Sequence, residues 1–81
     1  MTSQYLEFRE ADNSGRKTKR FHIYNKRTNE FLGTIQFLGA WRRYVVNPRK
    51  DIIFDSVCLD DISTFLKELT AEWKESLKNE K

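Results

Sequence analysis

Cysteine, proline, glycine and histidine are all scarce in this 81-residue chain, which holds 1 Cys, 1 Pro, 3 Gly and 1 His. The lone Cys58 excludes an intrachain disulfide and fits a reducing compartment. One histidine, one cysteine and no Cys-x-x-Cys leave no zinc ligand set. Few glycines leave no phosphate-cradling loop, since Gly33 lies inside an alternating apolar run. No stretch approaches the ~20 apolar residues of a membrane span. The opening MTSQYLEFRE has neither the basic leader nor the apolar core of a secretory signal. The expectation is a soluble cytoplasmic protein with no cofactor, no metal and no membrane segment.

What is present is a change of hydrophobic rhythm near Cys58. Before it, apolar residues alternate, as in Phe21 and Ile23, then Phe31, Gly33, Ile35 and Phe37. After it they recur every three or four positions: Leu59, Ile62, Phe65, Leu66, Leu69, Trp73, Leu77. Alternation turns one face of a strand inward, and the longer spacing turns one stripe of a helix inward. The fold class expected is α+β, a small antiparallel sheet of three to five strands packed on one C-terminal helix over 56–79. At this length residues 1–81 make one domain. A chain this short buries only about 60–65% of the surface its unfolded form exposes, so no deep substrate cavity fits beside the core.

Strands are expected at Tyr5–Arg9, Arg20–Tyr24, Glu30–Leu38 and Trp41–Val46. Residues 11–19, polar and basic, read as a mobile loop. Asn25–Asn29 reads as a turn, and Gly39-Ala40 as a two-residue type II′ hairpin loop. Asn47-Pro48 closes the last strand. Asp55 or Ser56 caps the helix. Asp60 and Asp61 in its first turns and Lys74, Lys78 and Lys81 near its end complement the helix dipole.

That hairpin sets Ile35 opposite Tyr44 and Gln36 opposite Arg43. It places Phe21, Ile23, Phe31, Gly33, Ile35, Phe37, Tyr44 and Val46 on the helix side, where Gly33 leaves room for the helix to approach. The reverse side then carries His22, Tyr24, Leu32, Thr34, Gln36, Leu38, Trp41, Arg43 and Val45. Exposed apolar surface in a small protein marks interaction sites, and Trp, Tyr and Arg dominate binding hot spots. Tyr24, Trp41, Arg43, Arg20, His22 and Gln36 are therefore the candidate partner-binding residues. The bland alternative is a structural role, with the N-terminal strand (Leu6, Phe8) folded across this side.

Catalysis finds no set. His22 projects away from the helix and Cys58 stands at its start, so no Cys–His pair forms. Cys58 reads as a small apolar contact. Asp60 and Asp61 point about 100° apart on a helix and make no catalytic carboxylate pair. The protein is not expected to be an enzyme.

Charge is uneven along the chain. Through Asp55 there are 11 Lys and Arg against 6 Asp and Glu, whereas from Ser56 onward there are 4 against 6. A basic sheet half with exposed rings is also suited to single-stranded nucleic acid. Arg16, Lys17, Lys19, Lys26 and Arg27 are the candidate phosphate contacts. The element order is not that of an RNA-recognition motif.

The segments LGTIQF (Leu32–Phe37), WRRY (Trp41–Tyr44), Pro48, Phe54 and CLDDISTFLKEL (Cys58–Leu69) follow one another in a fixed order. That order resembles a group of short proteins of phages and bacterial mobile elements with Leu-Gly-x-Ile, Trp-Arg-x-Tyr and Cys-Leu-x-Asp-Ile segments. The resemblance covers about Arg20 to Leu69 and implies a few antiparallel strands followed by a helix, in a phage or mobile-element setting. It implies no biochemical activity. Arg43 stands where the pattern has glutamine, and Val46 where it has an aromatic.

The expected function is thus a small binding module docking on a host or phage protein through the open sheet face, in host takeover or defence evasion. The alternative is sequence-tolerant nucleic-acid binding. Arg42, on the helix side, is expected to pair with Glu68 or Glu72, and Tyr44 to cap the core.

Overall fold

The computed structural model describes residues 5–11 and 18–79. Strands β1 (Leu6–Ala11), β2 (Arg20–Asn25), β3 (Phe31–Leu38) and β4 (Arg43–Pro48) precede helix α1 (Ser56–Asn79). The strands pair antiparallel in chain order, β1-β2-β3-β4, which makes an open α+β sheet with β1 and β4 at its edges. Ala11 closes β1. Arg16 and Lys17, with most of the loop expected over 11–19, lie outside the described residues.

Helix α1 covers one face of the sheet because its apolar stripe matches the inward residues of the strands. Leu6, Ile23, Ile35, Tyr44, Ile62 and Leu69 are buried in this core. Phe65 lies at its centre, stacked on Phe8 with centroids 4.4 Å apart and edge-on to Phe21 at 4.9 Å. Further along, Trp73 packs on Phe37 at 4.6 Å. Tyr44 is buried, and its hydroxyl accepts a hydrogen bond from the Lys19 amide at 2.9 Å. Strand β1 does not cross the reverse face. It lengthens the sheet beside β2, with Phe8 opposite Ile23, so Leu6 and Phe8 face the helix.

The helix starts as a capped helix should. The Asp55 carboxylate accepts the Cys58 amide at 2.9 Å, and the Asp55 carbonyl accepts the Leu59 amide at 3.0 Å. With Ser56 as its first residue, α1 has no acidic side chain in its first turn. The favourable negative charge therefore sits at the cap, not on Asp60 and Asp61. Lys78 provides the basic charge of the last turn.

Two local features differ from expectation. The β3–β4 loop is four residues long, not two. Leu38 pairs with Arg43, Trp41 donates to the Leu38 carbonyl at 3.1 Å, and Arg42 donates to the Gly39 carbonyl at 3.2 Å. The positive φ this turn needs, 53°, falls on Arg42 rather than Gly39. Trp41 and Arg42 thereby leave the strand. The partner of Ile35 becomes Val46 instead of Tyr44, a shift of two residues that preserves which side each residue faces.

The second is a bulge. Ile23 pairs with Gly33, but Tyr24 pairs with Phe31, so Leu32 is an extra residue in β3. The bulge reverses the expected sides of two neighbours. Leu32 is buried in the core, and Phe31 joins Tyr24 on the open face. Gly33 is spared a side chain because of β4, not the helix. A Cβ there would stand 2.7 Å from the Asn47 carbonyl oxygen and 3.0 Å from the Pro48 Cα.

Candidate functional site

The sheet face opposite α1 is built by simple alternation. Since Phe8 and Leu6 face the helix, Glu7 and Arg9 face the other way, opposite Tyr24 and His22. His22 in turn opposes Thr34, and Gln36 opposes Val45. Among the described residues no element lies over this face.

Three rings gather on it. His22 meets Phe31 edge-on at 5.5 Å, Tyr24 meets Phe31 at 5.7 Å, and His22 meets Tyr24 at 6.4 Å. The Arg9 guanidinium lies 4.1 Å above the Tyr24 ring centroid. One of its nitrogens donates to Glu7 at 3.0 Å and to the Asn29 side-chain carbonyl at 2.8 Å. The hydrogen bond from Arg9 holds the Glu7 carboxyl below its ordinary range, and the same bond raises Arg9. Asn29 is placed by the β2–β3 turn, where its φ is 62° and the Asn25 side chain accepts the Arg27 and Thr28 amides. The guanidinium is thus held over the ring by Glu7 and Asn29.

The residues singled out from sequence divide into groups. His22, Tyr24 and Gln36 share the face, all half-buried. Arg20 and Arg43 open two of its strands and are exposed. Trp41, 64% exposed, stands in the β3–β4 turn at one end of the sheet instead of in its plane. Of the candidate phosphate contacts, Arg16 and Lys17 lie outside the described residues. Lys19 turns toward the helix and meets Glu72 at 3.8 Å. Lys26 and Arg27 occupy the β2–β3 turn. Arg42, expected to pair with Glu68 or Glu72, lies in the β3–β4 turn, and Glu72 meets Lys19.

Arg9 and Phe31 are the functional candidates that sequence reasoning missed. The inward setting of Leu6 and Phe8 carried the signal for Arg9, because alternation sends the residue between them and the next one outward. Phe31 carried none, because a bulge leaves no mark in an apolar pair such as Phe31-Leu32.

Cys58 lies on the other side of the sheet, half-buried against the core. Burial first, then the Asp55 carboxylate, push its thiol above the ordinary value. No group of three metal-ligating side chains occurs among the described residues. No described helix is long and apolar enough to cross a membrane.

Fold and face together define a small α+β protein with a four-stranded antiparallel meander, one helix on one face and an aromatic cluster on the other. Over 74 residues the chain is 30% identical to an uncharacterised 9.3 kDa protein of Acholeplasma phage L2, spanning 91% of this chain and 95% of that protein. The chain belongs to the family of that phage protein. No family model matches the sequence. No solved structure matches it either.

Proposed function

We propose that this phage-family protein is a non-enzymatic binding module that docks on a host or phage protein through its open sheet face. The observation that carries this reading is the Arg9 guanidinium held 4.1 Å over Tyr24, within a cluster completed by His22 and Phe31. A pre-positioned Arg on an aromatic patch has the composition of a binding hot spot and little ordering cost. Trp41 and Arg43 extend the contact area at the β3–β4 end, with Arg20 and Gln36 as polar contacts. Host takeover or defence evasion in the cytoplasm is the setting we infer.

A protein partner fits better than nucleic acid. Glu7 sits 3.0 Å from Arg9 and offsets the cation held over Tyr24, and Lys19 points to the helix side. A non-catalytic role is supported by His22 and Cys58 lying on opposite sides of the sheet.

The experiment is affinity capture from host lysate with and without nuclease, followed by reconstitution with the purified partner. Replacing Tyr24 and Phe31 by Ser is expected to abolish the reconstituted complex while leaving thermal unfolding cooperative. Loss of the partner after nuclease treatment, with salt-sensitive binding to oligothymidylate, assigns the face to nucleic acid instead.

A further inference from the structure

The flank where α1 runs beside edge strand β4 forms an open groove of about 730 Å³. It lies on the helix side of the sheet, away from the His22, Tyr24 and Phe31 rings, and shares only Arg43 with the contact area proposed above. Its floor is apolar: Val46 from β4, with Leu59, Ile62, Leu66 and Ala71 from the helix. Leu59, in the first turn of the helix, is half exposed. The lining helix residues run from Leu59 to Lys74, a stripe about 22 Å long at 1.5 Å per residue.

Charge around this groove has one sign. Arg42, Arg43, Lys67 and Lys74 line it, and no carboxylate does among the described residues. That is unexpected on a helix whose half of the chain carries more acidic than basic residues. The acidic residues of α1 fall outside the lining, and two of its three lysines fall within it.

The strand edge adds direction. The Tyr44 amide points out of the sheet and donates to the Thr70 hydroxyl at 3.1 Å. In an antiparallel ladder outward groups recur every second residue, so the Val46 amide and carbonyl point outward as well. An outward strand edge beside an apolar floor suits an added strand, whose alternate side chains enter the floor while the others meet the rim.

We propose that the β4–α1 groove binds an extended acidic peptide segment of a partner protein, in which aliphatic residues alternate with Asp or Glu. The peptide lies along β4 and pairs with it at Val46. Its aliphatic side chains rest on Leu59, Leu66 and Ala71, and its carboxylates meet Arg42, Arg43, Lys67 and Lys74. The groove length corresponds to about six or seven extended residues at 3.3 Å each.

The test is selection of a displayed random decapeptide library on the full chain, followed by titration of the selected peptides. The expected result is enrichment of Asp and Glu at every second position. Backbone amide shifts should centre on Val46, Leu66 and Thr70, and affinity should fall tenfold or more in a K67E/K74E double variant. Both lysines are exposed, and an unchanged unfolding temperature verifies that the variant is folded. Leu59→Ser offers a second probe that leaves the charges in place and is expected to weaken binding several-fold. Selected peptides without acidic enrichment, binding indifferent to both variants, or shifts centred on Tyr24 and Phe31 each overturn the proposal. So does preferential occupation of the groove by oligothymidylate or by a second copy of the chain.

Discussion

Phe8 on the outer strand and Phe65 on the helix stack nearly parallel, with 22° between their planes and 4.4 Å between centroids. This contact joins β1 to the core, because Phe65 also meets Phe21 of β2 edge-on. Loss of the Phe65 ring removes support from two strands at once. Phe65→Ala is expected to cost about 3–5 kcal/mol, as aromatic truncations in cores do, which is comparable to the whole stability of a small domain. Trp41→Ala, at a position 64% exposed, is expected to change stability by less than about 0.5 kcal/mol. Urea unfolding of the two variants measures the contrast.

Two glycines are expected to behave oppositely. Gly33→Ala places a methyl group 2.7 Å from a backbone oxygen of Asn47, and neither strand can yield without breaking register. A loss of about 1–3 kcal/mol follows from forced overpacking. Gly39→Ala meets no atom within 4 Å and requires no unusual backbone angle. It is expected to be neutral within about 0.5 kcal/mol. Thermal unfolding of the pair checks this, and equal losses would contradict the close approach of β3 and β4.

The helix cap gives stability a specific response to acid. Hydrogen bonds from the Cys58 amide and thiol hold the Asp55 carboxyl below its ordinary value. A carboxyl lowered in the folded state stabilises above its unfolded pKa, about 3.9, and that contribution fades as pH falls through the folded value. Asp55→Ala is expected to lower the unfolding temperature by several degrees at pH 7 and by less near pH 2. Asp55→Asn, which still caps, is expected to retain most of the stability at pH 7. Melting curves between pH 2 and 7 distinguish the three proteins.

Much of the architecture was legible before any coordinates. The alternating run through Phe21 and Ile23 and the three- and four-residue spacing after Cys58 each fit one kind of backbone. The polar pair Asp55-Ser56 marked where the helix begins, and the structure gives the cap to Asp55. The open face was legible as far as its members sit on regular strands, which is why His22, Tyr24 and Gln36 fall together. Trp41 was misplaced because a Gly-Ala pair suits a tight hairpin as well as a wider turn, and only the pairing of Leu38 with Arg43 separates them.

By itself, then, the order of residues determined the α+β class, the helix span and the inward sides of β2 and β4, because local periodicity follows from backbone geometry alone. The tertiary structure decided the bulge at Leu32, the exchange of Phe31 for Leu32 on the open face, the seat of Arg9 over Tyr24 and the groove beside β4. Each of those depends on how one strand or helix meets another across space, and no spacing within a single segment records that.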